Sequence, residues 1–220
     1  MKRISLVAKC LGAGGLLLWC LCSGSPVADG NSSQTGNSGI AITALSKTLS
    51  GTTTPGARVS VYSQAFRPYQ SPSGFSDSAT ADDSGRFVLA GLPEGYLNLL
   101  VEDAVTGKTG YIPGIPVFTD SLFADTLDSL QRPGYLVGTA TDQTGQAWAL
   151  SYVFITGTPF YAVTKNGGEF LLGPLPAGAY TIGLYGTFKA TVNGLTPAMS
   201  LMNDTATTRV YADSTVHWHP

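Results

Sequence analysis

Beyond residue 22 the chain has no cysteine. All three of its cysteines, Cys10, Cys20 and Cys22, lie in the first tenth of 220 residues. No disulfide can staple the remainder, and any fold there must rest on its apolar core. Charge is scarce as well: Asp, Glu, Lys and Arg make up 12%, about half the usual share. Histidine occurs twice, as His217 and His219, which removes most of the supply of the commonest general base and metal ligand. No HExxH or HxxE pair, GxSxG elbow, P-loop or dinucleotide fingerprint occurs anywhere, so the spacings that serve zinc peptidases, serine hydrolases and nucleotide enzymes are missing. Long helical periodicity is lacking too. Residues 119–130 come nearest to it, and their Leu122, Leu127 and Leu130 suit an edge strand equally well.

What is present is turn chemistry and apolar residues. The chain holds 27 Gly and 13 Pro, with 43% hydrophobic and 10% aromatic residues. That composition supports a folded core made of short strands and many turns. Residues 1–22 read as a signal peptide: Lys2 and Arg3 lead into the apolar stretch Cys10 to Cys22, which has Leu16, Leu17, Leu18 and Trp19 at its centre. An uncleaved anchor fits less well, because that stretch is 13 residues long and about 20 are needed to span a bilayer. Cys22, followed by Ser23, Gly24 and Ser25, resembles the lipid-attachment cysteine of a bacterial lipoprotein. Leu21 stands before it where such signals prefer a small residue, and Cys20, after Trp19, is the other candidate. Both cysteines are equally readable as ordinary apolar residues of the leader. Residues 23–38, SGSPVADGNSSQTGNS, are too polar to bury a core and read as a flexible tether. Without residues 1–22 the chain keeps nine basic and fourteen acidic residues, a net charge of minus five with no basic cluster. Nucleic acid is therefore not an expected partner.

The most informative pattern is an internal repeat. GRFVLAGLPEGYLNLLV (85–101) and GEFLLGPLPAGAYTIGL (168–184) match in register at an offset of 83. They pair Gly85 with Gly168, Phe87 with Phe170, Leu89 with Leu172, Leu92 with Leu175, Pro93 with Pro176 and Gly95 with Gly178. Two copies of one folding unit follow. DDSG (82–85) and KNGG (165–168) are tight-turn sequences, expected to close hairpins. Phe87 and Leu89, like Phe170 and Leu172, alternate with outward positions as in a half-buried strand. LPEG and LPAG then break the strand, and Leu97, Leu99 and Val101, against Tyr180, Ile182 and Leu184, are expected on inward faces. Upstream, Ile40, Ile42 and Leu45 precede Val59 and Val61 in the first copy, and Tyr135, Val137 and Thr139 precede Val153 and Ile155 in the second.

With these motifs, PGARVSVY (55–62), TADDSGRFVLAGLPEGYLNLLV (80–101) and TKNGGEFLLGPLPAGAYTIGL (164–184), the chain resembles the carboxypeptidase regulatory-like domain. The resemblance implies an all-β chain of two tandem transthyretin-like, Greek-key β-sandwiches of about seven strands each, spanning 39–132 and 133–215, with 216–220 as a C-terminal tail. The second copy departs from the pattern at Ala147 to Leu150, where a Pro-x-Ala turn is usual. Members are mostly non-catalytic modules. A hydroxyisourate hydrolase of transthyretin-like fold would need several core His or Arg residues and a terminal Tyr-Arg-Gly-Ser, whereas this chain ends VHWHP.

The candidate ligand surface is the loop QAFRPYQSPSGF, whose Phe66, Arg67, Tyr69 and Phe75 could meet a sugar ring or a protein partner. The competing reading has these rings capping their own sandwich. His217 and His219 could hold a soft metal, but a strand end or tail is the simpler reading. Asp82, Asp83, Glu102 and Asp103 belong to turns more readily than to a calcium site. The expectation is a non-enzymatic cell-surface structural or interaction protein with no cofactor. It would be exported, reaching the membrane only through an N-terminal lipid anchor, with an envelope protein or a polysaccharide as partner. The alternative is a carbohydrate-binding accessory to extracellular polysaccharide degradation.

Overall fold

The computed structural model describes residues 39–68, 74–141, 145–187, 199–202 and 207–218. Their alternation of apolar and polar residues between Gly, Pro, Asn and Asp turns yields strands and, among the described residues, no helix. The strands are β1 (Ile40–Leu45), β2 (Thr48–Thr52), β3 (Arg58–Ser63), β4 (Ser76–Thr80), β5 (Arg86–Leu89), β6 (Gly95–Asp103), β7 (Lys108–Val117) and β8 (Leu122–Leu127). There follow β9 (Gly134–Thr139), β10 (Tyr152–Ile155), β11 (Tyr161–Val163), β12 (Glu169–Leu175), β13 (Gly178–Thr187), β14 (Met199–Met202), β15 (Thr207–Val210) and β16 (Thr215–Trp218). The protein is all-β.

The first sandwich stacks a four-stranded sheet, β5-β2-β1-β8, on another, β4-β3-β6-β7. In the second, a three-stranded sheet, β12-β9-β16, faces a five-stranded one built on β11-β10-β13-β14, with β15 also on β13. Each sandwich has its own core. The inward positions expected from the repeat are buried in both: Val59, Phe87, Leu89, Leu97, Leu99 and Val101 in one, Val153, Phe170, Leu172, Tyr180, Ile182 and Leu184 in the other.

The opening strands do not turn all of their apolar residues inward. Leu45 points outward at 54% exposed, and Ala44 fills the inward position because β1 keeps strict alternation from Ile40 and Ile42. In β9 it is Leu136 that enters the core, leaving Tyr135 39% exposed. Register explains the second case. Leu49 and Gly51 of β2 face Leu89 and Phe87 of β5, and Leu136 and Gly138 of β9 face Leu172 and Phe170 of β12. The counterpart of β9 is therefore β2, and β1 has no equivalent in the second copy.

DDSG and KNGG do not close hairpins. Both turns are tight, with Gly85 N–H donating to the Asp82 carbonyl at 2.8 Å and Gly168 N–H to that of Lys165 at 2.9 Å. Yet β4 and β5 belong to opposite sheets, as do β11 and β12, so each turn is a corner that carries the chain across its sandwich. What holds the corner is the end of the neighbouring strand. Thr53 N–H donates to the Gly85 carbonyl at 2.8 Å, and Ala140 N–H to that of Gly168 at 2.9 Å. The two glycines take φ of +76° and +81°, and a Cβ would meet the Thr53 and Ala140 carbonyls at 2.1 and 2.4 Å. No other residue fits there.

The expected C-terminal tail is partly a strand. β16 pairs with β9 in parallel, Val216 opposite Leu136 and Trp218 opposite Gly138, the place that β1 holds beside β2 in the first sandwich. Trp218 is 4% exposed, and its ring centre lies 5.8 Å from that of Phe170. The β16 strand thus stands where β1 stands in the first copy, and Trp218 fills the core space beside Phe170. Replacing it with alanine opens a cavity with no side chain to refill it. Trp218→Ala should cost about 3 to 5 kcal/mol of stability, read as a lower urea midpoint at unchanged slope, and truncation after Val216 should do the same. A midpoint within experimental error of the parent would restore the tail reading.

Candidate functional site

Of the candidate loop, Phe66 and Arg67 sit at the boundary between the two sandwiches. Ser63 ends β3, and its N–H donates to the Phe75 carbonyl at 2.9 Å while its hydroxyl accepts the Phe75 N–H at 3.1 Å. This clip brings the ends of the loop together and lays Phe75 against the first core. Phe66 meets Tyr62 edge-on, ring centres 5.0 Å apart. Tyr69 lies outside the described residues, as do Cys22 and His219.

Phe66 and Arg67 both reach the second sandwich. Gly157 N–H donates to the Phe66 carbonyl at 2.9 Å, and the Arg67 guanidinium lies 5.8 Å from the centre of the Phe154 ring, within cation–π range. Arg67 also donates to the Phe66 carbonyl at 3.2 Å. Beside them Asn98 of β6 is 4% exposed and satisfied at both ends. Its amide donates to the Gly157 carbonyl at 2.9 Å and its oxygen accepts the Gly114 N–H at 3.0 Å. Further along, Tyr111 of β7 packs on Tyr180 of β13, ring centres 5.1 Å apart.

Apart from the core residue Tyr180, the contacts lie on outward faces. Val153 and Ile155 point into the second core, so Phe154 points out of it, yet Phe154 is 1% exposed. Asn98 and Leu100 likewise alternate with the inward Leu97, Leu99 and Val101 and are buried. A groove of about 460 Å³ remains open at this boundary, lined by Gln64, Arg67, Tyr111, Thr156 and the stretch Ala179 to Gly183.

Past the groove, the outer face of the second sandwich carries tyrosines that the sequence reading passed over. Tyr152 of β10 stands beside Tyr185 of β13, and its ring centre is 6.3 Å from that of Tyr185 and 6.0 Å from that of Tyr161. The signal was present: Tyr152 and Tyr185 are out of phase with the core residues Val153 and Leu184, and large aromatics at outward strand positions need a reason.

Acidic residues serve turns. One Asp82 carboxylate oxygen accepts the N–H groups of Ser84 and Arg86, each at 2.8 Å. Asp103 accepts from the Val105 amide at 2.9 Å and the Thr106 hydroxyl at 2.6 Å. Burial works to raise the Asp103 pKa, and the Thr106 and Val105 hydrogen bonds with Lys108 outweigh it, leaving the carboxyl below its ordinary value. His217 lies opposite Val137 on the outer side of β16, and among the described residues no three His, Cys, Asp or Glu side chains gather where a metal could bind.

No protein-family model and no curated protein sequence matches the chain. Among solved structures it is similar to GBS52, the minor pilin of the Gram-positive pathogen Streptococcus agalactiae, at 13% identity and a TM-score of 0.33, over 76% of this chain and 82% of that one.

The tyrosine pair at the boundary makes the junction sensitive to alkali. Burial pushes the Tyr111 phenol from 10.0 up to about 12. Burial first, and then Tyr111, raise that of Tyr180, which donates to the Pro176 carbonyl at 2.7 Å. A phenol held more tightly protonated in the folded state stabilises fully below its unfolded pKa, and that contribution is lost as pH rises through its folded pKa. Stability should therefore decline between pH 10 and about 12. In an alkaline titration followed by tyrosinate absorbance, two tyrosines should ionise only with unfolding, and Tyr111→Phe should move the midpoint upward. Reversible ionisation of all ten tyrosines before unfolding would contradict this.

Proposed function

We infer that the chain is a non-enzymatic, exported structural and interaction protein: two β-sandwiches docked into one block and carried on a polar tether at the cell surface. The observation that carries this reading is the closure of the junction. Asn98 is buried with both ends hydrogen-bonded across or beside the boundary, Gly157 is bound to Phe66, and Arg67 lies over Phe154. Polar groups buried in this way bind best in one relative placement, because any slippage leaves them desolvated and unpaired. The described residues from Gly39 onward accordingly belong to one compact unit. A rigid block on a tether suits a spacer or a docking module.

Other features support the same reading. Among the described residues, the groups pushed farthest from their ordinary acidity are Tyr111 and Tyr180, raised chiefly by burial in packing contacts. The leader at 1–22 and the tether at 23–38 provide export and reach, and Cys22 provides the lipid anchor. The resemblance of both copies to the carboxypeptidase regulatory-like domain belongs here as well, since those modules mostly accompany other functions.

Two measurements test the reading. Spin labels at Asp77 and Thr215, one on each sandwich, should give a narrow distance distribution that broadens in the Asn98→Ala, Arg67→Ala double variant. The chain expressed with its own leader in a bacterium should incorporate labelled palmitate, and Cys22→Ser should abolish it. A broad distribution in the parent would remove the rigid block, and incorporation that survives in Cys22→Ser, Cys20→Ser would remove the anchor.

A further inference from the structure

The two corners of the repeat are alike in backbone and different in chemistry. The offset of 83 sets Lys165, Asn166 and Gly167 of the second copy against Asp82, Asp83 and Ser84 of the first. Each corner closes with the same two main-chain bonds. In the first, Gly85 N–H donates to the Asp82 carbonyl and Asp82 N–H to that of Arg86, both at 2.8 Å. In the second, Gly168 N–H donates to the Lys165 carbonyl and Lys165 N–H to that of Glu169, both at 2.9 Å. The first corner has a further tie, because the Asp82 carboxylate accepts the Ser84 N–H at 2.8 Å. A lysine side chain carries only donors, so Lys165 cannot hold the Gly167 N–H in this way.

That nitrogen follows an asparagine, the arrangement in which a main-chain nitrogen can reach the side-chain carbonyl carbon and close a five-membered ring. Gly167 has no Cβ to crowd the approach. Asn166 and Gly167 form the centre of the turn, and both are exposed to water. The Glu169 carboxylate stands beside the nucleophile: a Cβ on Gly167 would lie 2.5 and 2.8 Å from its two oxygens. Asn98 is the opposite case. It is buried, its side-chain amide is tied at both ends, and Leu99 follows it.

We propose that Asn166 is a self-modification site, at which the chain converts its own asparagine to isoaspartate and so opens the second corner with age. The Gly167 nitrogen bonds to the Asn166 side-chain carbonyl carbon while its proton passes to the Glu169 carboxylate. The bond from that carbon to the side-chain nitrogen then breaks, Glu169 returns the proton to the leaving nitrogen, and ammonia departs from a succinimide ring. Water opens the ring at the main-chain carbonyl. The backbone now runs through the former side chain and is one carbon longer. The corner has no slack for that carbon, since the Gly168 N–H is bound to Lys165 and its carbonyl to the Ala140 N–H. Ring opening also frees a carboxylate close to that of Glu169, and like charges there repel. The first corner has no asparagine and holds its nitrogen on Asp82, so it keeps its shape. This inference rests on neither the lipid anchor nor the docking role inferred above.

The test is incubation of the purified full chain in neutral buffer made with oxygen-labelled water, followed by peptide mapping. While the chain stays folded, the peptide holding Asn166 should gain labelled oxygen and appear chiefly as isoaspartate. Asn193 and Gly194 form the other Asn-Gly pair, and mapping reads that peptide separately. Glu169→Gln should slow conversion of the folded chain about ten-fold, the loss of a positioned base. The isoaspartyl fraction, separated by its added negative charge, should melt below the parent, and Asn166→Gln should keep its melting temperature through the same incubation. An Asn166 that stays intact, or that converts only after the chain is unfolded in denaturant, overturns the proposal. A folded rate that Glu169→Gln leaves unchanged overturns it too, as does an isoaspartyl form that melts with the parent.

Discussion

In both sandwiches a phenylalanine ring lies on a glycine of the strand beside it. Phe87 covers Gly51 and Phe170 covers Gly138, so closely that a Cβ on either glycine would come within 2.9 Å of the ring. On the other side the same Cβ would strike a backbone carbonyl, Ala41 at 2.1 Å in the first copy and Trp218 at 2.6 Å in the second. The strand carrying the glycine is therefore pressed between an aromatic ring and a third strand. That contact sets the register of β2 on β5 and of β9 on β12. Because strand side chains alternate, the register in turn decides which residues of each strand enter the core. With no cysteine beyond residue 22, nothing covalent backs it up.

The same contact shows how the two copies diverged. The first inserts the β1 strand between β2 and β8, and the second lays its last strand directly against β9. Losing a strand would open one side of the core. Trp218 closes it, with Val216 packed beside it. A duplicated unit can in this way lose an element and keep its density, provided that one large side chain arrives on a strand running the right way. β16 runs parallel to β9, as β8 must run parallel to β2, since each is antiparallel to β1.

The second consequence is a division of outward faces. Where the sandwiches meet, outward residues are buried and their polar groups bonded, as in Asn98 and the Gly157 backbone. Farther along the same sheet of the second copy, outward residues are tyrosines with part of their rings in water. The loop that residue types alone marked out for recognition, with Phe66 and Arg67, lies where the sandwiches meet.

Much of this architecture was legible in the order of the residues. The repeat at an offset of 83, the paired turns and the inward positions of β3, β5, β6, β10, β12 and β13 follow from periodicity and turn chemistry, which are local properties. Leu45 faces outward by the strict alternation of β1 itself, whereas Tyr135 does so because the phase of β9 is decided by β12, which lies many residues distant. For the same reason DDSG and KNGG could be recognised as turns but not as corners: a tight turn looks alike whether its arms pair with each other or join opposite sheets. The role of Trp218, the covering of Phe154 and the alignment of three tyrosines from separate strands depend on which surfaces the fold brings together. Such proximity arises between residues far apart in the chain, and only tertiary packing decides it.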